Sequence, residues 1–313
     1  MAFRPDLRPL IRADEASDTM GLGCAPIGNL YESVAEADAV ATIDRALSRG
    51  IRFFDTAPHY GAGVSEQRLG RALTAVERDS VVIATKVGRR IVDRDGKDLA
   101  PGAVGAGTVG DLSRDGVLRS LEGSLARLGT HRVDLLYLHD PEDVDEALRT
   151  AIPALAELRA QGVVRAIGVG MVWSGPLTRF VREAAVDVVM IAGRTTLLDR
   201  RAETDLLPAA REHGVGVIAA GVFNSGILAD PDTAPYFDYK PAPSDLVDRA
   251  RRLRGACAAR GVALRHAAAR FPLRRQAVEA VVIGARTPVE VDDFADGAAV
   301  DMPAALWEEL ERG

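Results

Sequence analysis

The chain has 313 residues, 47% of them hydrophobic, with a mean hydropathy of +0.02, which is enough to bury the core of one large α/β domain. No run of about 18 uncharged apolar residues occurs, which excludes a membrane helix, and the opening segment MAFRPDLRPLIRADEASD lacks the apolar stretch of a secretory signal. A net charge of −6 and a pI near 5.5 weigh against nucleic acid as a partner. The expectation is a cytoplasmic protein that meets a small molecule. Cys24 and Cys257 show neither metal nor redox spacing and read as small buried hydrophobes, one in a strand and one in a helix.

Short apolar runs alternate with helical patterns along the chain. GLGCAPIGNL (21–30) reads as the first strand. Ser33 and Glu36 form a capping-box pattern ahead of Val40, Ile43 and Leu47, and Gly50 stops that helix. Ile51 to Phe54 is the second strand, followed by Asp55, a turn-rich segment with His59 and Tyr60, and a helix bearing Leu69 and Leu73 on one face. VVIATK (81–86) is the third strand. Val117, Leu121, Leu125 and Leu128 mark a helix ending at Gly129, and VDLLYLH (133–139) is the fourth strand. A helix from near Pro153 to Gly162 precedes AIGVG (166–170), and DVVMIA (187–192) and GVIAAGV (216–222) follow. A long Ala- and Arg-rich helical stretch with Leu253, Cys257 and Leu264 leads to VVIGA (281–285).

None of these runs alternates with polar residues, as expected of parallel strands covered on both faces. Eight strands with intervening helices predict an α/β fold, a (β/α)8 TIM barrel, as a single domain spanning 1–313. The rival doubly wound sheet would call for Gly-x-Gly-x-x-Gly after the first strand, and none is there. Residues 88–112 and 230–244 are too long for ordinary connections between barrel elements. The second holds Pro231, Pro235, Pro241 and Pro243. Both are expected to be loops that bear on substrate.

Four polar side chains fall at or beyond successive strand ends: Asp55, Tyr60, Lys86 and His139. In such a barrel those ends form the reactive face. A lysine closing an apolar strand needs an acid partner, and Asp55 is the nearest candidate. Its ammonium would lower the pKa of a neighbouring phenol, making Tyr60 a proton donor or acceptor. His139 would orient a substrate oxygen or share the proton.

The phrase FDTAPHYGAGVSEQRLGRAL, with TKVG at 85–88 and DLLYLHDP at 134–141, resembles the aldo-keto reductase superfamily over nearly the whole chain. Stretches at 115–129, 192–199, 221–229 and 238–243 narrow the resemblance to the branch with D-threo-aldose 1-dehydrogenase and L-fucose dehydrogenase, a neighbourhood that also holds a pyridoxal dehydrogenase. The resemblance implies the eight-stranded barrel and an NAD or NADP cofactor held without a Rossmann domain. It also implies a catalytic tetrad of Asp55, Tyr60, Lys86 and His139, with no metal. Oxidation of the C1 hydroxyl of a free aldose to the lactone is the implied reaction. Reduction of small aldehydes or ketones, and a catalytically silent nucleotide-binding regulatory subunit, are the alternatives.

The family's dinucleotide-binding segments map onto Asn224, Ser225, Gly226 and Leu228 and onto Gly284, Ala285, Arg286 and Glu290. Where NADP-specific members carry an arginine for the 2′-phosphate, the matching place falls on or near Glu290, which favours NAD, with Arg286 as an alternative phosphate grip. His59 and Trp173 are the substrate-pocket candidates, Trp173 either walling the pocket or simply packing. Val172 and Ala220 stand where many members place a polar group and a stacking aromatic, and Phe223 could substitute for the latter.

Overall fold

The computed structural model describes residues 19–30 and 32–312; the reading of the N-terminal segment 1–18 lies outside them. Eight parallel strands close into a barrel in the order β1 (Met20–Gly23), β12 (Val278–Gly284), β9 (Gly216–Ala220), β8 (Val188–Ala192), β7 (Ala166–Met171), β6 (Leu135–His139), β3 (Val82–Val87) and β2 (Phe53–Asp55). The expected TIM barrel is therefore the fold. Around it run α1 (Glu36–Ser48), α2 (Val64–Leu73), α3 (Arg114–Leu128), α4 (Val144–Arg149), α5 (Ala151–Ala160), α6 (Ser174–Glu183), α7 (Leu206–His213), α8 (Ser244–Ala258), α9 (Leu264–Arg270), α10 (Pro288–Ala299) and α11 (Ala304–Arg312). No helix among the described residues is long and apolar enough to cross a membrane.

Several boundaries depart from the sequence reading for identifiable reasons. The first strand stops at Gly23, because Pro26 cannot donate to a ladder and starts a 3-10 turn instead; Cys24 lies one residue past the strand, fully buried. The Ser33–Glu36 capping box does not form: Ala35 is the N-cap, and the Glu36 carboxylate pairs with Arg71. The long Ala- and Arg-rich stretch is two helices, α8 and α9, parted by Gly261 at φ 69. Residues 88–112 are more than a loop, since β4 (Arg89–Val92) and β5 (Gly107–Gly110) pair antiparallel there. Residues 230–244 likewise carry a small hairpin, β10 (Tyr236–Phe237) with β11 (Lys240–Pro241), turned by Asp238 and Tyr239 in left-handed conformations.

The barrel interior is a packed core of Phe53, Val82, Ala84, Leu135, Tyr137, Ala166, Val188, Met190, Ile218, Ala280 and Val282. Because side chains alternate along a strand, this set fixes what comes next on the inner face. Phe53 points inward, so Asp55 does too; Val82 and Ala84 lead to Lys86; Leu135 and Tyr137 lead to His139. Each of the three polar residues is thus the last inward side chain of its strand.

The segment between β2 and α2 is shaped by contact with the turn after β1. A Cβ on Gly61, at φ 64, would stand 2.2 Å from the Gly28 carbonyl oxygen, and a Cβ on Gly28 would meet the Tyr60 carbonyl at 2.9 Å. Ser65 ties the same corner, donating to the Cys24 carbonyl at 2.7 Å and pairing with the Thr56 hydroxyl at 2.8 Å. Gly214, at φ 64, has no neighbour within 4 Å of its would-be Cβ and serves as a control. Gly214→Ala should cost only the left-handed backbone penalty, about 1–2 kcal/mol. Gly61→Ala should add an overpacking cost of about 1–3 kcal/mol. Urea unfolding of the two variants tests this, and equal losses would contradict the contact argument.

Candidate active site

The register of the strands brings the inward polar groups together. Asp55 lies opposite Ala84, so the next inward residue of β3, Lys86, reaches across to it. The Lys86 ammonium donates to both Asp55 carboxylate oxygens, at 2.9 and 2.7 Å, and to the Thr56 carbonyl at 2.9 Å. A Cβ on Gly170 of β7 would stand 3.8 Å from Lys86 Cε, an ordinary contact distance. Lys86 Nζ stands 4.8 Å from the centre of the Tyr60 ring. The His139 ring meets Tyr60 edge-on with centroids 5.7 Å apart, and His59 completes the cluster at 5.8 Å from His139. All four residues expected at the strand ends therefore converge.

Their electrostatics follow from burial against charge. Lys86 and Asp55 are 1% and 2% exposed, so neither ion has water to fall back on. Burial alone would pull the lysine down, but Asp55, with Tyr60 adding to it, outweighs that and holds the ammonium well above its usual value. For Tyr60 the sequence expectation is overturned. Burial raises the phenol to about 12, and the Lys86 charge only moderates the rise. His139 is held well below its ordinary value by burial and by the positive charges of Lys86 and Arg89, so its imidazole is neutral. Its Nδ1 is buried without a partner among the described residues, and an Asp140 carboxylate oxygen stands 3.6 Å from Nε2.

The pocket candidates both reach the mouth. His59 is exposed and pairs through Nδ1 with the Thr108 hydroxyl at 2.7 Å, which links it to the hairpin β4–β5. Trp173 is 55% exposed, with the Arg194 guanidinium 5.7 Å from its ring, so it walls the mouth instead of packing in the core.

The dinucleotide candidates divide. Asn224, Ser225 and Gly226 follow one another at φ 47, 65 and 120, a sharp turn just beyond β9. Ser225 and Gly226 are half-buried and Gly284 is exposed, at the ends of β9 and β12, and the Gly226 N–H donates to the Phe223 carbonyl at 3.0 Å. The other side chains are spoken for. Asn224 is buried, accepting from Thr196 at 2.6 Å and donating to the Gly193 carbonyl at 3.0 Å. Leu228 is fully buried with its N–H bonded to the Phe223 carbonyl, and Ala285 is buried as well, so their side chains belong to the core. Phe223 packs against both shell clusters of the core. Glu290 is not free to meet a ribose. Its carboxylate accepts from the Arg286 N–H at 2.7 Å and from the Arg286 guanidinium at 2.9 Å, while Glu32 takes the other side of that guanidinium.

Three participants were missed in the sequence. Arg89, just after β3, bears electrostatically on His59, His139 and Asp140. Asp140 follows His139 directly, in the DLLYLHDP phrase already singled out. Arg194, 4% exposed, grips Asp238 at the tip of the second hairpin with two bonds of 2.7 and 2.9 Å, and donates to the Val172 carbonyl at 3.1 Å. A buried Arg demands a carboxylate, but its burial shows only in the folded barrel.

A closed parallel barrel with an Asp–Lys–Tyr–His cluster at its mouth defines an oxidoreductase class, and residues 19–312 match the model of the aldo/keto reductase family, so the chain belongs to that family. It is an NAD(P)-dependent oxidoreductase. Among its relatives, a D-threo-aldose 1-dehydrogenase from Pseudomonas sp is 43% identical, covering 94% of this chain and 93% of the relative. A pyridoxal 4-dehydrogenase from Microbacterium luteolum is 37% identical, covering 97% and 96%. The holo form of an aldo-keto reductase from Bacillus halodurans superposes with a TM-score of 0.78 at 26% identity, covering 94% of this chain and 91% of that one.

Removing the acid of the buried pair should be costly, because the lysine keeps its charge. Asp55→Ala should lower stability by about 3–5 kcal/mol. The folded-state pKa of Lys86 is raised, so the stabilisation is fully present below the usual lysine value and fades only as pH climbs beyond it. Urea unfolding of both proteins at pH 7 and 9 should therefore give the same large gap; a gap below about 1 kcal/mol would show the pair to be dispensable.

Proposed function

We propose that the protein oxidises the anomeric hydroxyl of a free aldose, in its ring form, to the lactone with NAD. The observation that carries this reading is the convergence of Lys86, bonded to Asp55 at 2.7 Å, with the Tyr60 ring and the neutral His139. The relatives support the substrate class. An aldose closes into a cyclic hemiacetal, and so does pyridoxal, whose aldehyde and hydroxymethyl group sit on neighbouring ring carbons. Both compounds then present a ring carbon bearing a hydroxyl and a hydrogen, and loss of hydride and proton leaves a lactone. Reduction of small aldehydes uses the same groups in reverse.

A bound nicotinamide dinucleotide supplies the hydride acceptor. The partly exposed Ser225 and the exposed Gly284 would flank its phosphates, because small residues let an anion approach the backbone closely. Tyr60, as phenolate, takes the hydroxyl proton. Lys86 offsets part of the burial cost of that phenolate, and Asp55 holds Lys86 in place and charged. His139 donates through Nε2 to the reacting oxygen, a role that suits a neutral imidazole with no hydrogen-bond partner of its own at that nitrogen.

Because the working form of Tyr60 is the deprotonated one and its pKa stands near 12, the oxidation rate should climb with pH, close to tenfold per unit until the protein loses stability. Nicotinamide absorbance with NAD and L-fucose, D-arabinose, L-galactose, pyridoxal and simple aldehydes reads this directly. Tyr60→Phe should lower kcat by about 10²–10⁴-fold with cofactor still bound. Near-normal turnover in that variant would remove Tyr60 from the mechanism, and cofactor binding without turnover on any compound would favour a regulatory subunit.

The cofactor preference rests on Arg286. Its charge is already balanced by Glu290 and Glu32, so a 2′-phosphate would meet two carboxylates before it met an unpaired cation. NAD should therefore give the higher kcat/KM, and Glu290→Gln should narrow the gap by freeing Arg286. A higher kcat/KM with NADP in the unaltered protein would refute this.

A further inference from the structure

Asp140 is held in a conformation that its neighbours do not favour. Its φ is 41, in the left-handed region, and Pro141 follows, a place where the backbone prefers to be extended. Glycine would sit there at less cost. Strain of this kind persists where the surroundings over-determine it, and it gathers at functional sites.

The surroundings do so here. The Asp140 N–H donates to the Gly170 carbonyl at 2.9 Å, which locks it to β7, and its carboxylate accepts the Val172 N–H. One carboxylate oxygen stands 3.6 Å from His139 Nε2, and the side chain is 40% exposed toward the mouth. A carboxylate has about four lone-pair sites, so acceptor capacity is left over. No lysine or arginine forms an ion pair with it among the described salt bridges. The nearby Arg89 instead donates to the Asp140 carbonyl at 3.5 Å, and its Nε is buried without a partner. Burial raises the Asp140 carboxyl above its usual value, and Arg89 and Lys86 moderate the rise. A carboxylate acceptor with spare valence, 3.6 Å from His139 Nε2, calls for a donor on the substrate.

We propose that Asp140 is a specificity-determining residue whose carboxylate accepts a hydrogen bond from the ring hydroxyl next to the anomeric carbon. The proposal rests on the aldose reading above. The neighbouring hydroxyl follows from geometry: on the reading above His139 Nε2 holds the oxygen on the reacting carbon, and an Asp140 carboxylate oxygen stands 3.6 Å from that nitrogen. Vicinal ring oxygens are about one hydrogen-bond length apart. The site therefore reads polyhydroxylated rings in preference to rings that lack this donor.

Paired substrates test it: D-arabinose against 2-deoxy-D-ribose, which is the same pentose without its 2-hydroxyl, and L-fucose against 2-deoxy-L-fucose. The unaltered protein should favour the hydroxylated member of a pair it oxidises by at least about tenfold in kcat/KM. Asp140→Gly, which the left-handed backbone accepts, should bring that ratio below about threefold. Asp140→Asn, which keeps the shape and loses the charge, should lower it by less and guards against a folding defect in the glycine variant. A purely structural role would depress both members alike and leave the ratio intact. An intact ratio in both variants would overturn the role of Asp140 while leaving aldose oxidation standing. No oxidation of any aldose by the unaltered protein would overturn the aldose reading, and this proposal with it.

Discussion

The Lys86–Asp55 ion pair is the constraint on which the mouth of the barrel depends. Two ions that are 1% and 2% exposed can coexist only if each satisfies the other, and the bonds of 2.7 and 2.9 Å do so. Two strands must agree for that to happen: β2 and β3 must hold the register that puts Asp55 opposite Ala84, so that Lys86 reaches across to it. A hydrophobic pair of the same volume would make an equally good barrel. The charges are retained at a cost that only a task at the mouth explains.

The field that the pair and its neighbours set up sorts the proton-bearing groups by role. Burial first, and positive charge second, keep two imidazoles below their ordinary values and hence neutral: Lys86 and Arg89 act on His139, and Arg89 on His59. The same lysine opposes the burial of a Tyr60 phenolate without cancelling it. One residue is left with a proton that can be moved at alkaline pH, and the others are fixed in state. Separating a mobile proton from static hydrogen bonds is what pushes acid and base assignments apart in a small site.

Legibility in the sequence tracked how local each interaction is. Asp55, Lys86 and His139 close apolar runs, so the runs alone placed them at one end of the barrel, which itself followed from eight such runs; that they point inward came only with the packed interior. Glu290 and Arg286 are four residues apart, but their mutual pairing depends on the N-terminal turn of α10 being capped by Thr287. Arg194 and Asp238 meet across 44 residues of chain, and nothing in either neighbourhood announces the other. The net shift of Tyr60 was unreadable for a different reason. The sequence supplied the lysine that lowers it, whereas the larger opposing effect, burial, is a property of the assembled mouth. Asp140 had a signal of its own: a polar residue of the kind that tolerates left-handed backbone, placed before a proline and after a strand-end histidine.

The two excursions that broke the simple alternation of strand and helix attach to the mouth from opposite sides. The hairpin β4–β5 reaches it through Thr108, bonded to His59, and through Arg89 beside Asp140. The hairpin β10–β11 reaches it through Asp238, clasped by the buried Arg194, and through the Tyr239 N–H on the Ser225 hydroxyl. No hydrogen bond or ion pair among the described residues joins either hairpin to Lys86 or Asp55, whose partners lie on β2, β3 and at Thr56. The excursions meet the mouth at the side chains around that pair. On the proposed reading, those side chains together with Asp140 at the end of β6 set the shape and polarity of what can approach. Relatives that match over nearly the whole chain bear the names of a sugar dehydrogenase and a pyridoxal dehydrogenase. The groups around the pair can change with the substrate, while the buried pair itself would be costly to alter.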